Sequence, residues 1–238
     1  MLRRKKHKVY RREAVERLIR ALPRGQLLDA PCGDGAISHL ARSLGFQVWA
    51  CDIDPSALAD RHGVQFQVVD LNRDLPYADG AFDVVLSIEG IEHLEHPGHC
   101  VQEFARVLKP GGTLVLSTPN VNNIQSRLHF LLSGHFSGFK TLTRRALEPR
   151  ETYPHWHVSV PYLPALVYLL TRSGLQLERV EITMIKRKQW LLAPLAALLW
   201  IGAQFNNNAP VGRWLGSWKA MLGRSVILTA KKRAPDVT

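Results

Sequence analysis

Three residues near the middle of the chain carry side chains that could do chemistry together. Glu89, Glu92 and His93 stand at positions i, i+3 and i+4, so a helical turn would place all three on one face. Two carboxylates and an imidazole at one place suffice either for a divalent metal site or for an acid–base pair. A loop that these residues merely shape is the third interpretation.

The elements that must position these side chains alternate between strands and helices. Short apolar runs at 26–30, 46–51, 64–69, 82–87 and 112–117 predict strands, with helices expected at 35–44, 55–61 and 97–108 between them. Runs such as Val84-Val85-Leu86 are apolar without alternation, as in strands that are buried on both faces. The pattern predicts an α/β domain whose parallel sheet has helices on both faces.

Four successive strands of this sheet end in residues that suit a nucleotide-like ligand. The first leads into a glycine-rich turn, Asp29-Ala30-Pro31-Cys32-Gly33-Asp34-Gly35, and the second ends in Cys51-Asp52-Ile53-Asp54-Pro55. A carboxylate about 20 residues after such a turn can accept hydrogen bonds from both ribose hydroxyls. Asp70 follows the third strand, where it could accept from the amine of an adenine. Open α/β sheets bind ligands at this edge.

The series LLDAPCGDG, CDIDP, DLNRDLPYADGAFDVV and LKPGGTLVLSTPN resembles the class I S-adenosylmethionine-dependent methyltransferases over about residues 24–120. The resemblance implies a Rossmann-like sheet of seven strands with S-adenosylmethionine at its edge. It assigns Asp29, Gly33 and Gly35 to the methionine part and Asp52 to the ribose. The remaining expected cofactor contacts are Asp70 on the adenine, Ile53 and Leu71 beside its ring, and Ala30 and Ser87. Pro31 departs from the family, which usually has a glycine there.

The Glu89-Gly90-Ile91-Glu92-His93 element resembles that of two O-methyltransferase groups, the ubiquinone-pathway enzymes and those that methylate the terminal 2′-hydroxyl of small RNAs. In both it is associated with a divalent metal and a later histidine. Either His155 or His157 fits that position. The resemblance implies a catalytic role for His93, Glu92 and Glu89 and a Mg²⁺, Mn²⁺ or Zn²⁺ site. His93 acting as a base without metal is the alternative.

Basic charge is concentrated at the start of the chain. The formal net charge is +11, and seven of the first twelve residues are Lys or Arg. Such patches suit a nucleic acid or an anionic membrane surface equally, or are solvated without a partner. Three scattered cysteines and no signal-like start favour the cytoplasm, with peripheral binding to the inner face of a membrane.

Trp190 to Phe205 contains no charged residue in sixteen positions, between two expected strands at 175–185 and 225–231. It is shorter than a membrane span of about 20 residues. We expect an apolar hairpin or cap at 186–224 that lies in a membrane interface or covers an apolar substrate. A dimer interface or extra core is the alternative.

These patterns predict a basic segment and helix at 1–23, then a single methyltransferase domain at 24–238 with a substrate-side insertion at 120–160. The segments 118–123 and 126–132 resemble bacterial methyltransferases of envelope polysaccharide and lipid pathways. The favoured function is O-methylation of a small or lipid-linked acceptor. RNA methylation and a non-catalytic cofactor-binding scaffold are the alternatives.

Overall fold

The protein is built on one mixed sheet of seven strands. A computed structural model describes residues 13–139, 156–185, 187–206 and 217–234. Its strands are β1 (Gln26–Asp29), β2 (Gln47–Asp52), β3 (Val64–Val68), β4 (Phe82–Ile88), β5 (Leu108–Pro119), β6 (Leu175–Ile185) and β7 (Gly223–Lys232). Their order is β3-β2-β1-β4-β5-β7-β6. β1 to β5 are parallel, and β7 is antiparallel to both β5 and β6. The prediction of a Rossmann-like sheet is confirmed.

Helices cover both faces of this sheet. They are α1 (13–21 in the described part), α2 (Ala36–Ser43), α3 (Pro97–Val107), α4 (Ile124–Ser133), α5 (Leu163–Arg172), α6 (Ala193–Asn206) and α7 (Trp218–Leu222). One apolar cluster joins β-strand residues to α3 and α5, and a second joins the opposite face to α1 and α2. Burial on both faces explains why the central strands lack alternation.

Local capping sets the limits of α4, the helix after β5. The Asn123 side chain accepts a hydrogen bond from the Ser126 amide at 3.0 Å, which caps the first turn. The helix ends at Gly134, whose φ of 71° is left-handed. Four residues separate the end of β5 from the start of α4, so the helix begins beside the carboxyl edge of the parallel strands.

The helix expected at 55–61 does not form, so that prediction is wrong. Residues 55–61 are turns and bends. The Asp54 carboxylate accepts from the amide and hydroxyl of Ser56 at 2.8 and 2.7 Å. Side-chain acceptors of this kind compete with helix formation for backbone amides.

The apolar segment between β6 and β7 is helical. A 3-10 helix covers Arg187–Leu192 and leads directly into α6, which continues through Gly202. Pro194 is tolerated because it lies in the first turn, where its missing amide costs no helical hydrogen bond. α6 contacts α7, which precedes β7. In the described part of the chain, no helix is long and apolar enough to span a membrane.

Candidate active site

The turn between β1 and α2 is shaped by two glycines with left-handed backbone angles. Gly33 has a φ of 50° and Gly35 a φ of 73°. A Cβ atom on Gly35 would overlap the side chain of Leu58, whereas one on Gly33 would meet no atom within 4 Å. Gly33 therefore borders open space at the start of α2, where backbone amides point outward.

Asp29 lies beneath this turn. Its side chain is buried and accepts a hydrogen bond from the Ser38 hydroxyl at 2.6 Å. Burial raises the pKa of Asp29 to about 7. Ala30 is buried beside it and donates its amide to the Leu86 carbonyl at 2.8 Å. Both residues thus join β1 to its neighbours, and Asp29 positions α2.

The two carboxylates expected at the cofactor lie at the same edge of the sheet. Asp52 accepts from the Gly33 amide at 2.9 Å, which ties the end of β2 to the glycine turn. Asp70 accepts from the amide and side chain of Asn72 at 2.9 and 3.0 Å. Of the two apolar neighbours, Ile53 is 50% exposed and Leu71 is only 5% exposed. Ile53 can thus cover a flat ring, whereas Leu71 belongs to the core.

Glu89 follows the buried Ser87 and the half-buried Ile88 at the end of β4. Its φ of 56° is left-handed, and its amide donates to the Ser117 carbonyl at 2.9 Å. The Ser117 hydroxyl in turn donates to the Glu89 carboxylate at 3.3 Å. Only Ile91–His93 forms a helical turn, of the 3-10 type. Glu89, Glu92 and His93 therefore do not share the helical face that their spacing predicts.

A different trio comes together instead. Glu92, His93 and His157 each offer one ligand atom, and these atoms lie within 4.8 Å of one another. Among the described residues, Glu89 does not join this group, and His155 lies outside the described residues. The Glu92 carbonyl accepts from the amides of Val158 and Ser159 at 2.9 and 3.1 Å, which holds the segment of His157 against the 3-10 turn.

Hydrogen bonds determine how these side chains present their atoms. The Glu92 carboxylate is buried and accepts from the Thr118 hydroxyl at 3.1 Å. His93 Nδ1 lies 2.8 Å from the Trp156 carbonyl, which can only accept, so the proton is on Nδ1 and the lone pair is on Nε2. The rings of His93 and His157 are 4.8 Å apart at 78°.

His157 is held in the neutral form. Burial, and secondarily the charge of His93, lower its pKa to about 4. Its Nδ1 is buried without a hydrogen-bond partner in the described part of the chain, and the Phe139 ring packs 5.0 Å away. One carboxylate and two imidazoles are a suitable ligand set for Zn²⁺ or another divalent transition metal.

Some of these contacts had no signal in the sequence. The motif containing Thr118 suggested a strand end but no partner for Glu92, and nothing indicated that the Trp156 carbonyl would orient His93. Both are tertiary contacts, across 26 and 63 residues. The Pro154-His155-Trp156-His157 run was the one hint that a histidine would come from this part of the chain.

Comparisons with known proteins show that part of the chain is similar to methyltransferases. A family model described as a methyltransferase domain matches residues 28–116. A ubiquinone biosynthesis O-methyltransferase of Xanthomonas campestris is 38% identical over 111 residues, which are 42% of this chain and 45% of that protein. A protein of the same name from Burkholderia thailandensis is 29% identical over 168 residues, 67% of this chain and 68% of that protein. The matched part thus spans less than half the length of the Xanthomonas relative.

A solved structure extends the likeness to the fold. The crystal structure of a putative methyltransferase from Bacillus halodurans superimposes with a TM-score of 0.59 at 17% identity, covering 93% of this chain and 98% of that one. At this identity the likeness concerns the fold alone. The sequence match and the strand order together identify residues 28–116 as a class I S-adenosylmethionine-dependent methyltransferase domain, carried here on the full seven-stranded fold.

Proposed function

We propose that this chain transfers the methyl group of S-adenosylmethionine to a hydroxyl oxygen of a small or lipid-linked acceptor. The observation that carries the proposal is the Glu92–His93–His157 group beside the cofactor edge. The 3-10 turn bearing Glu92 and His93 follows Gly90, where a Cβ atom would overlap Pro31 of the glycine turn. Gly90, which directly precedes the turn of Glu92 and His93, is therefore packed against the turn that would hold the cofactor.

The proton of the acceptor hydroxyl has a defined destination. The acceptor oxygen attacks the methyl carbon, the bond from that carbon to the sulfonium sulfur breaks, and the sulfur becomes a neutral thioether. The hydroxyl proton moves to Nε2 of His93, which carries the lone pair because Nδ1–H is bonded to Trp156. The buried Glu92 carboxylate stabilises the resulting imidazolium.

A divalent metal is compatible with the same residues. Glu92, His93 and His157 would hold it, and the low pKa of His157 keeps that imidazole available as a ligand at neutral pH. A bound metal would lower the pKa of an acceptor hydroxyl. The proposal assigns Glu92, His93 and His157 to the metal, when one is bound, and leaves Glu89 as a residue that shapes the loop.

Calorimetric titration with S-adenosylmethionine, with and without Mg²⁺, Mn²⁺ or Zn²⁺, tests the proposal. We expect micromolar cofactor binding that Asp52→Ala abolishes and that Glu178→Ala, an exposed carboxylate on β6, leaves unchanged. Glu92→Ala should retain cofactor binding and lose any heat that depends on metal. No cofactor binding under any condition contradicts the proposed activity. Cofactor binding without metal heat leaves His93 acting as a base alone.

The names of the relatives suggest an acceptor from a lipid pathway, and an exposed apolar surface supports this for the present chain. The end of α4 and the segment before α6 expose large apolar side chains, and Leu132 and Leu191 are more than 80% exposed. The two elements contact each other. We call this surface the apolar face, and its members are Phe130, Leu131, Leu132, Trp190, Leu191, Leu198 and Ile201.

We propose that the apolar face rests on an anionic membrane surface. α6 is apolar around its whole circumference, yet of its residues with described side chains only Ala196 is buried in the core. A helix of this kind is normally buried in protein or lipid. The net charge of +11 and the basic start of the chain favour anionic lipid. Such a position would give the active site access to an acceptor held in the membrane.

A further inference from the structure

Two half-buried arginines, Arg127 and Arg224, have no acidic partner among the residues that the structure describes. Arg127 of α4 donates from Nε to the Asn122 carbonyl at 2.7 Å, and within the described ranges its guanidinium makes no other hydrogen bond or ion pair. Arg224 of β7 makes none with its side chain among the same residues. Burial lowers the pKa of both groups.

Both arginines are anchored to the segment that follows β5. The Asn120 amide donates to the Arg224 carbonyl at 2.8 Å, and Arg127 bonds to Asn122, two residues further on. Asn120 is itself fixed, since its side chain donates to the carbonyls of Ala220 and Gly223 at 2.7 and 2.9 Å. These hydrogen bonds fix the backbone of β7 at Arg224 relative to the segment that follows β5.

This segment begins close to the catalytic group. Thr118, whose hydroxyl bonds to Glu92, stands two residues before Asn120, a distance of about 7 Å along an extended chain. Along its strand, Arg224 shares a sheet face with Val226, which packs in the same cluster as α5. Val226 is paired with Thr118 across β5 and β7, so Arg224 and Thr118 lie on the same face of the sheet.

Two other half-buried cations in the described part of the chain have carboxylates beside them, whereas Lys232 donates to the carbonyls of Arg106 and Leu108. Arg106 pairs with Glu103 and Asp79, each at 2.7 Å, and Lys109 pairs with Asp83 at 2.8 Å. Removing a guanidinium from water without an opposite charge is unfavourable, and a bound oxyanion with charge-assisted hydrogen bonds reverses this. Arginine is the side chain best suited to a phosphate, because its donors form a planar fork.

We propose that the acceptor carries a phosphate or diphosphate group, which Arg127 and Arg224 bind while the hydroxyl is methylated. The inference rests on the proposed methyl transfer and names its class of substrate. Two guanidinium charges match the two negative charges of a phosphate monoester or of a diphosphate diester, whereas a carboxylate carries only one. Such a group also fits an acceptor linked to a lipid.

Calorimetry with inorganic pyrophosphate and inorganic phosphate tests this assignment on the whole chain saturated with S-adenosylhomocysteine. We expect pyrophosphate to bind, and Arg127→Gln and Arg224→Gln each to weaken its binding at least about ten-fold. Arg172→Gln, at an exposed arginine at the end of α5, is the matched control and should bind like the unmodified protein. S-Adenosylmethionine should bind all four proteins equally.

Thermal unfolding distinguishes binding by the two arginines from a purely structural role, because only binding makes the Tm depend on pyrophosphate. Pyrophosphate should raise the Tm of the unmodified protein and of Arg172→Gln, but not of the double variant Arg127→Gln/Arg224→Gln. Without pyrophosphate the double variant should be at least as stable as the parent, because two uncompensated charges are removed. A large loss of Tm without ligand would assign the arginines to the fold and overturn the inference.

Three further results would contradict the proposal that Arg127 and Arg224 bind a phosphate group. They are absence of pyrophosphate binding, equal weakening by Arg172→Gln, and equal binding of acetate and pyrophosphate. The first two leave the proposed methyltransferase activity intact as long as S-adenosylmethionine binds. Failure of the cofactor titration, by contrast, removes the proposed function whatever pyrophosphate does.

Discussion

His93 combines a fixed orientation with a lone pair on the nitrogen that can reach an acceptor. Its bond to the Trp156 carbonyl selects the tautomer with the proton on Nδ1. We expect His93→Gln to reduce methyl transfer at least about 100-fold, since it removes the proton acceptor. Its affinity for S-adenosylmethionine, measured by calorimetry, should stay within about two-fold, because the cofactor edge is unaltered. His62→Gln, at an exposed histidine, should change neither, and equal turnover in both variants contradicts the catalytic role of His93.

Asp29 should make stability depend on pH in a way that its amide analogue does not. Its pKa rises from an ordinary 3.8 to about 7 because it is buried, so the folded state binds its proton more tightly than the unfolded state. The stabilisation is complete below about pH 4 and is lost as pH rises through about 7. The free energy of unfolding of the unmodified protein should therefore fall relative to that of Asp29→Asn across this window.

Denaturant titrations of both proteins from pH 4 to 8 measure this difference. The difference between the two proteins is needed because His157 also makes the free energy of unfolding depend on pH. Burial lowers the pKa of His157, so its contribution has the opposite sign to that of Asp29 over an overlapping pH range. His157 is unchanged in Asp29→Asn and its contribution cancels. A constant difference across the window would show that Asp29 remains ionised in the folded protein.

At the scale of elements, the β1–β5 alternation was predictable because each central strand is buried on both faces and each turn carries its own glycine or proline signal. The helix at 55–61 was not, since Asp54 captures the amide that would begin it. The geometry of Glu89 was not predictable either: a spacing of i, i+3, i+4 implies a shared face only within a helix, and the left-handed Glu89 precedes the helical turn. His157 reached the site through backbone bonds to Glu92, which no local pattern encodes.

The Glu103–Arg106 ion pair of α3 binds the segment 71–80, which lies between the adenine edge and β4. Glu103 accepts from the Leu75 amide at 2.7 Å and pairs with Arg106, which also donates to the carbonyls of Tyr77 and Leu75. The Arg106 hydrogen bond lowers the pKa of Glu103. Arg106→Ala leaves that buried carboxylate unpaired, and we expect a loss of about 3 kcal/mol in the free energy of unfolding.

Arg20→Ala is the matched control for this loss, since Arg20 pairs with Glu16 at an exposed position of α1. Its effect should stay below about 0.5 kcal/mol. Urea denaturation of both variants gives the comparison. Equal losses would mean that the Glu103–Arg106 pair contributes no more than a surface pair.

The whole molecule combines a basic chain with one large exposed apolar face, and these two properties should act together at a membrane. We expect the protein to float with vesicles containing anionic lipid and much less with neutral ones. Replacing Leu132, Leu191 and Leu198 by Ser should weaken vesicle binding at least about ten-fold, because each buries apolar area in the interface. These side chains are exposed, so the substitutions should alter stability by no more than about 0.5 kcal/mol each.

Val68→Ser is the control for this experiment. Val68 is 52% exposed on β3, at the opposite edge of the sheet from β6 and β7. If vesicle binding depended on general hydrophobicity, this substitution would weaken it in proportion to the area removed. If binding depended on charge alone, the triple Ser variant would bind as the parent does and high salt would release both equally. The apolar face is responsible only if the triple variant loses binding while Val68→Ser keeps it.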